Sequence, residues 1–351
     1  MALVMLLTIG LTSCSDGNSA DTTAASTDAA NTADGTSEDT ADGTSAETEA
    51  TVNVDSSLKV NVVTLSGTTG FGMAKLMNDA SEGKAALNYS IKVESDAANV
   101  TAALLNGSVD IAALPTNAAA NLYNKKKDSV QIMAVNTLGV LYVMTAEGVT
   151  VESFKDLKGK TVYCPAQNPT FIFNYLCKAN DVTVGEDITV DNTYAAPKDL
   201  LGAFTTGQVD IAVLPEPMVT VAKNKNASLK VALDLTAEWD KVAEPGSLAQ
   251  GCIVVRKAFA DAHPAEVAAF LAEYEASINF VKENPTEAGT MIQAQGIADN
   301  AKVAASAIPN CNLCFIKGGE MKPLLDVYYN AINAIAPSIT APDEGFYYIV
   351  K

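Results

Sequence analysis

Few side chains in this 351-residue sequence are equipped for bond-making chemistry. There is one histidine, His263, and one arginine, Arg256. A Ser-His-Asp or Cys-His device, or a histidine-based metal site, would have to use His263. That residue stands in Ala-Asp-Ala-His-Pro-Ala, a polar helix start with Pro264 in the first helical position. The expectation is a solvated histidine. Cysteines occur at positions 14, 164, 177, 252, 311 and 314. Cys311-Asn312-Leu313-Cys314 has the spacing of redox and zinc motifs, yet no second pair stands at metal spacing and no histidine is near. Buried or incidental thiols are the expected state. An exported protein can oxidise some of its cysteines, but the five after Cys14 are an odd number, so at least one stays free. These residues assign no catalytic group, no metal and no cofactor.

Charge narrows the partners. The net charge is −18, and residues 15–55 hold ten acidic and no basic residues. That stretch supplies −10 and leaves −8 for the rest. An acidic chain with scattered lysines excludes nucleic acid, which needs clustered Lys and Arg to neutralise phosphates. The apolar share of 48% is enough for a real core. The length suggests two domains plus extensions.

The first sixty residues read as an export and anchoring segment. Ala2–Leu11 is apolar, too short to span a bilayer, and matches the hydrophobic region of a secretory signal. It runs into Leu11-Thr12-Ser13-Cys14, which resembles the bacterial lipobox. That resemblance implies diacylation of Cys14 and cleavage before it. No Lys or Arg precedes the apolar run, which points to a start further upstream. From Ser15 to about Asp55 the residues are nearly all Ser, Thr, Ala, Asp, Glu, Gly and Asn. Such a segment cannot bury enough surface to offset its conformational entropy, so a disordered tether over 15–56 is expected. A coil of about 40 residues spans roughly 35 Å.

The elements that position any site begin near Leu58. Residues 59–65 alternate and are β-branched, as in a strand. The glycine-rich stretch Ser66–Gly72 follows, and then a helix from Met73. This arrangement leaves N–H groups at a helix start free for a ligand. It is not a P-loop, because the Gly-Lys-Ser/Thr ending is missing.

A repeat is the most informative pattern. Leu104–Pro115 recurs at Phe204–Pro215, with Gly, Val, Asp, Ile, Ala, Leu and Pro at the same offset. Each copy predicts a helix ended by a left-handed glycine, Gly107 or Gly207. A short buried strand then ends in proline, and a new helix starts. The continuous apolar runs suit parallel strands covered on both faces. Two copies of one αβ unit imply two similar α/β lobes, with ligand loops beyond the carboxyl ends of their strands.

Several motifs follow in order: Gly107–Ala112, Asp156-Leu157-Lys158-Gly159-Lys160-Thr161-Val162, Gly207–Ala212 with Glu216-Pro217, and Val254–Lys257 with His263-Pro264. Their order resembles the solute-binding proteins of ABC importers, in the branch of nitrate, sulfonate, taurine and thiamine-precursor binders. Together the motifs span nearly all of the folded part. The resemblance implies a two-lobed type II periplasmic-binding fold of two doubly wound sheets. Lobe 1 would be 58–140 plus 254–351, and lobe 2 would be 141–253. Crossings near Leu141–Val143 and Ile253–Val255 would form a two-strand hinge.

Carried over by position, the resemblance implies four ligand loops. They are Gly67-Thr68-Thr69-Gly70-Phe71, Pro115-Thr116-Asn117, Pro165-Ala166-Gln167-Asn168-Pro169-Thr170 and Pro215-Glu216-Pro217-Met218. The candidate binding residues are Thr68, Thr69, Gly70, Phe71, Thr116, Asn117, Gln167, Asn168, Thr170 and Glu216. Thr116 and Asn168 read equally as helix N-caps. Phe71 and Phe171 read as stacking rings or as core. Cys164 reads as a cleft residue or a buried strand end. No Arg, Lys or His lies in these loops, so an anion would rest on helix starts and neutral donors. Glu216 in the cleft would oppose a bare anion and favour a neutral or donor-bearing ligand, such as a nitrogen heterocycle.

The resemblance implies a membrane-anchored monomer working with an ABC permease and ATPase, on the outer face of the cytoplasmic membrane of a Gram-positive-type bacterium. Two alternatives stand beside it. One is an enzyme on the same fold, of the pyrimidine-synthesis or tetrapyrrole-forming kind. The single arginine and the missing cysteine–histidine cluster argue against it. The other is a surface sensor lipoprotein without a transporter.

Overall fold

The computed structural model describes residues 54–349. The expected signal, Cys14 and nearly all of the expected tether lie outside them. The chain builds two mixed sheets, each flanked by helices. The first is ordered β2-β1-β3-β10-β4-β11 and the second β7-β6-β8-β5-β9. The first sheet takes β1 (Lys59–Leu65), β2 (Asn88–Glu94), β3 (Ile111–Pro115) and β4 (Val130–Thr137), and later β10 (Gly251–Arg256) and β11 (Leu313–Lys317). The second takes β5 (Leu141–Thr145), β6 (Thr161–Tyr163), β7 (Thr189–Asp191), β8 (Ile211–Pro215) and β9 (Lys230–Asp234). Between the first four strands of the first sheet lie α1 (Thr68–Phe71), α2 (Ala74–Ser81), α3 (Ala97–Asn106) and α4 (Thr116–Lys125). The second sheet is wrapped by α5 (Asn168–Ala179), α6 (Pro197–Thr205), α7 (Met218–Lys225) and α8 (Leu235–Trp239). The chain then adds α9 (Lys257–Ala262), α10 (Pro264–Glu283), α11 (Pro285–Ala294), α12 (Ala301–Ala307) and α13 (Met321–Asn333).

The repeat folds as two copies of one unit. Gly107 at φ 78° and Gly207 at φ 76° take the left-handed conformation that glycine alone adopts freely. Both copies make the same pair of helix-ending bonds. Gly107 N and Gly207 N donate to Leu104 O and Phe204 O at 3.3 and 3.2 Å. Ser108 N and Gln208 N donate to Ala103 O and Ala203 O at 3.1 and 3.0 Å. These bonds satisfy carbonyls that a helix end leaves open.

The strands β3 and β8 that follow are buried in all but their final proline. Their pairing differs from the all-parallel expectation. β3 is parallel to β1 but antiparallel to β10, and β8 is parallel to β6 but antiparallel to β5. An apolar run reports cover on both faces, and cover is blind to the direction of the neighbouring strand.

The chain passes between the sheets at 138–140 and again at 240–250. These crossings come just before the positions expected, since Leu141–Val143 lie inside β5 and Ile253–Val255 inside β10. One buried apolar cluster runs through both lobes and includes Leu114, Val143, Trp239, Tyr328 and Tyr329. Two further clusters cover the outer face of each sheet. Among the described residues no helix is long and apolar enough to cross a membrane.

Candidate functional site

The two crossings meet at the carboxyl ends of β3 and β8. Gly251 opens β10 opposite Pro115, and Leu141 opens β5 opposite Pro215. The residue before each entering strand holds the loop after the central strand. Thr116 N donates to Gln250 O at 3.2 Å, and Glu216 N donates to Val140 O at 2.9 Å. The crossings are themselves joined, because Val140 N donates to Gln250 Oε1 at 2.7 Å. The pseudo-symmetry of the repeat therefore ends on a shared seam between the lobes.

The second and fourth of the four expected loops adjoin this seam directly. In the first, Gly67 adopts φ 87° and its N–H donates to Ile297 O at 3.0 Å. A Cβ on Gly70 would lie 1.8 Å from Leu65 O, so only glycine fits there. The Thr69 carbonyl accepts from Asn136 Nδ2 at 3.0 Å. Phe71 is fully buried in the outer cluster of the first lobe. Its ring is core, not a stacking surface. Phe71 ends α1 and shares its cluster with Val60 and Val62 of β1 and with Tyr274 and Ile278 of α10.

The second loop holds Thr116 and Asn117, both buried. The Thr116 hydroxyl is buried and has no hydrogen-bond partner among the described residues. In the third loop, Gln167 is exposed and adopts φ 67°, ψ −125°. A side chain with a Cβ rarely takes this conformation, and such strain concentrates at ligand sites. Asn168 Oδ1 accepts from Tyr328 Oη at 2.8 Å. The Thr170 hydroxyl donates to Pro165 O and accepts from Asn192 Nδ2, both at 2.7 Å. Both bonds tie it to its own lobe.

The fourth loop carries Glu216, 3% exposed, before a cis peptide bond to Pro217. Its carboxylate accepts from Thr220 N at 3.1 Å and from Thr220 Oγ1 at 3.0 Å, so it caps α7. Across the seam Asn310 Nδ2 approaches Glu216 Oε1 at 3.5 Å, and Asn310 O accepts from Tyr142 Oη at 3.1 Å. Burial raises the Glu216 carboxyl above its ordinary range, while the Thr220 and Asn310 hydrogen bonds pull the other way.

The candidate residues divide by lobe. Thr116 and Asn117 of the first lobe hold buried polar groups, and Thr116 has a spare hydroxyl. Asn168, Thr170 and Glu216 of the second lobe already have partners. Sequence reasoning missed Asn136, Tyr142, Gln250, Asn310 and Tyr328. Asn136 carried a signal, as an amide directly after the apolar run Ile132–Val135 of β4. Asn310 carried none, because 94 residues separate it from Glu216.

The one arginine and the one histidine lie away from the seam. Arg256 ends β10, the end opposite Gly251. His263 is half-buried between α9 and α10, beside the Phe259 ring. The five described cysteines are free, and Cys164 at the end of β6 is buried, which pushes its thiol up to about 12. No cluster of metal-ligating side chains occurs among the described residues.

A family model described as NMT1/THI5 like matches residues 83–288, more than half of the chain. The chain belongs to the NMT1/THI5-like family. Solved structures agree on the fold of this family member. An ABC transporter protein from Parabacteroides distasonis is 21% identical, with a TM-score of 0.71 over 85% of this chain and 100% of that one. The periplasmic aliphatic sulphonate binding protein SsuA from Escherichia coli is 14% identical, with a TM-score of 0.67 over 84% of this chain and 92% of that one. The periplasmic nitrate-binding protein NrtA from Synechocystis is 12% identical, with a TM-score of 0.56 over 80% of each chain. The fold is the two-lobed type II periplasmic-binding architecture. Curated protein sequences give no match.

Proposed function

We propose that this chain is the extracytoplasmic substrate-binding lipoprotein of an ABC importer. It would hold a small organic solute between its lobes and hand it to a permease driven by an ATPase. The observation that carries the reading is the seam, where two copies of one αβ unit present helix-opening loops to each other. Family membership supports it, as do the sulphonate- and nitrate-binding proteins of like fold.

The bound solute rests on Thr68, Thr69, Thr116 and Asn117, with Gln167 and Asn168 closing from the other side. Gly70 lets the first loop approach closely. With no Lys, Arg or His in the four loops, and with Glu216 buried beside them, a neutral polar solute fits better than a bare anion. The protein binds and releases without turnover. The lobes, 58–140 plus 254–351 and 141–253, move about the paired crossings. Acylated Cys14 and the acidic tether hold this monomer at the outer face of a cytoplasmic membrane.

A thermal-shift screen of the Cys14→Ser chain tests the reading. The panel holds sulfonates, nitrate, pyrimidines, thiamine precursors and aromatic acids. A ligand at a hundredfold excess over its Kd adds about 2.7 kcal/mol of stability. A hit that is chemically converted without added cofactor would overturn the binding-only reading.

A further inference from the structure

Two adjacent aromatic residues touch the candidate loops of both lobes from behind. Tyr328 and Tyr329 lie on α13 and are fully buried. Consecutive helical residues point about 100° apart, so one helix can address two partners at once. Tyr328 Oη donates to Asn168 Oδ1 at 2.8 Å, in the third loop. Tyr329 Oη donates to Thr116 O at 3.2 Å, in the second loop. The two rings meet edge-to-face with centroids 5.5 Å apart. A continuous path therefore runs from Asn168 through both rings to Thr116.

The helix is tied on both sides. On the second lobe, Tyr328 lies 6.3 Å from Trp239, which packs on Tyr175 at 4.9 Å and donates to Ser247 Oγ at 2.8 Å. On the first lobe, the segment after α13 is pinned where Asp343 meets Tyr123 and Lys127. It ends with Tyr348 N donating to Ile132 O at 2.9 Å. The helix thus joins the lobes a third time, apart from the two crossings.

We propose that Tyr328 and Tyr329 are positioning residues that couple two facing loops of the binding seam through one helix. Because Tyr328 engages the oxygen of the Asn168 side chain, the amide nitrogen of Asn168 stays available as a donor. Tyr329 fixes the carbonyl of Thr116 and so sets where its spare hydroxyl lies. The proposal rests on the binding reading for its purpose, but the coupling itself does not need a solute.

Hydrogen exchange in the full chain tests it, with Tyr328→Phe and Tyr329→Phe each removing one hydroxyl and keeping the ring. Each variant is expected to speed exchange roughly three- to tenfold at 166–170 and also at 117–119, the loss of one hydrogen bond spread over both loops. The strand 88–94 should be unchanged, and emission from Trp239, the single tryptophan, confirms that each variant is folded. Asn168→Ala breaks the Tyr328 bond from its other end and should give the same pattern. Acceleration confined to the loop that lost its own bond, or none at all, overturns the coupling. A failed solute screen would count against the binding reading and leave this result standing.

Discussion

Arg256 Nη2 donates to Asp110 Oδ1 at 2.7 Å, and the partner Asp110 Oδ2 accepts from Asn61 N at 3.0 Å. The one arginine of the chain is thus a structural cation at the base of the first lobe. Its counterpart Asp210, one repeat later, is exposed and forms no ion pair among the described residues. Both aspartates still offer their carbonyls to the entering strand, at 2.8 Å from Arg256 N and from Ala146 N. The repeat conserves the backbone bond, while the first lobe alone adds the ion pair.

Removing that cation leaves a buried carboxylate without its charge partner. Arg256→Ala is expected to cost about 2–3 kcal/mol, less than the roughly 3–5 kcal/mol of a fully buried pair because the Arg256 side chain keeps 27% of its exposure. Urea denaturation measures it. A loss under about 0.5 kcal/mol would place the pair among ordinary surface bridges.

Glu216 gives a pH signature. Burial raises its carboxyl above the usual 4.5. A group with a higher pKa in the folded chain holds more protons folded than unfolded. Its ionisation therefore erodes stability as the pH climbs from about 4.5, and the penalty is absent below that. Glu216→Gln removes the ionisation. The melting-temperature difference, variant minus native, should grow more positive from about pH 4.5 to about pH 7. A difference that stays flat with pH would count against a buried charge.

Gly139 stands in the first crossing, where a Cβ would lie 2.2 Å from Thr236 Oγ1 and 2.7 Å from Leu248 Cδ2. Gly139→Ala is expected to cost about 1–3 kcal/mol through overpacking. Gly202→Ala is the control, since nothing lies within 4 Å of its Cβ position. Equal melting temperatures for the two would show that the crossing yields easily.

The split between spare and occupied polar groups predicts two kinds of variant. Asn117→Ala should weaken binding of a screened ligand by about 1–3 kcal/mol. Thr170→Val should lower stability by about 1 kcal/mol instead, because it loses the bonds to Pro165 and Asn192. Calorimetry and thermal melting on both variants separate the effects, and an interchange of the two results would reverse the assignment.

Burial holds the thiols of Cys164, Cys177, Cys252 and Cys314 up at about 12. Thiolate is the reactive form, so these groups should resist a thiol reagent at about pH 8 until the chain unfolds. The measurement uses the Cys14→Ser chain, and rapid labelling of the native protein would show that a strand-end thiol reaches the seam.

Much of this protein was legible from its residues in order. The repeat at Gly107 and Gly207 fixed two alike αβ units, because a left-handed glycine and a buried apolar run are local requirements of the backbone. The four ligand loops came from the family resemblance carried over by position, and each stands where a strand gives way to a helix. The exclusion of arginine from those loops needed only a count.

Tertiary structure decided which side chains were still available. Phe71 became core, Thr170 and Glu216 turned to their own loops, and Asn310 reached Glu216 across 94 residues. Tyr328 and Tyr329 joined loops that stand 160 and 213 residues away in sequence. A hydrogen bond depends on where two atoms end up, and residue order specifies that only through the packing of the whole chain.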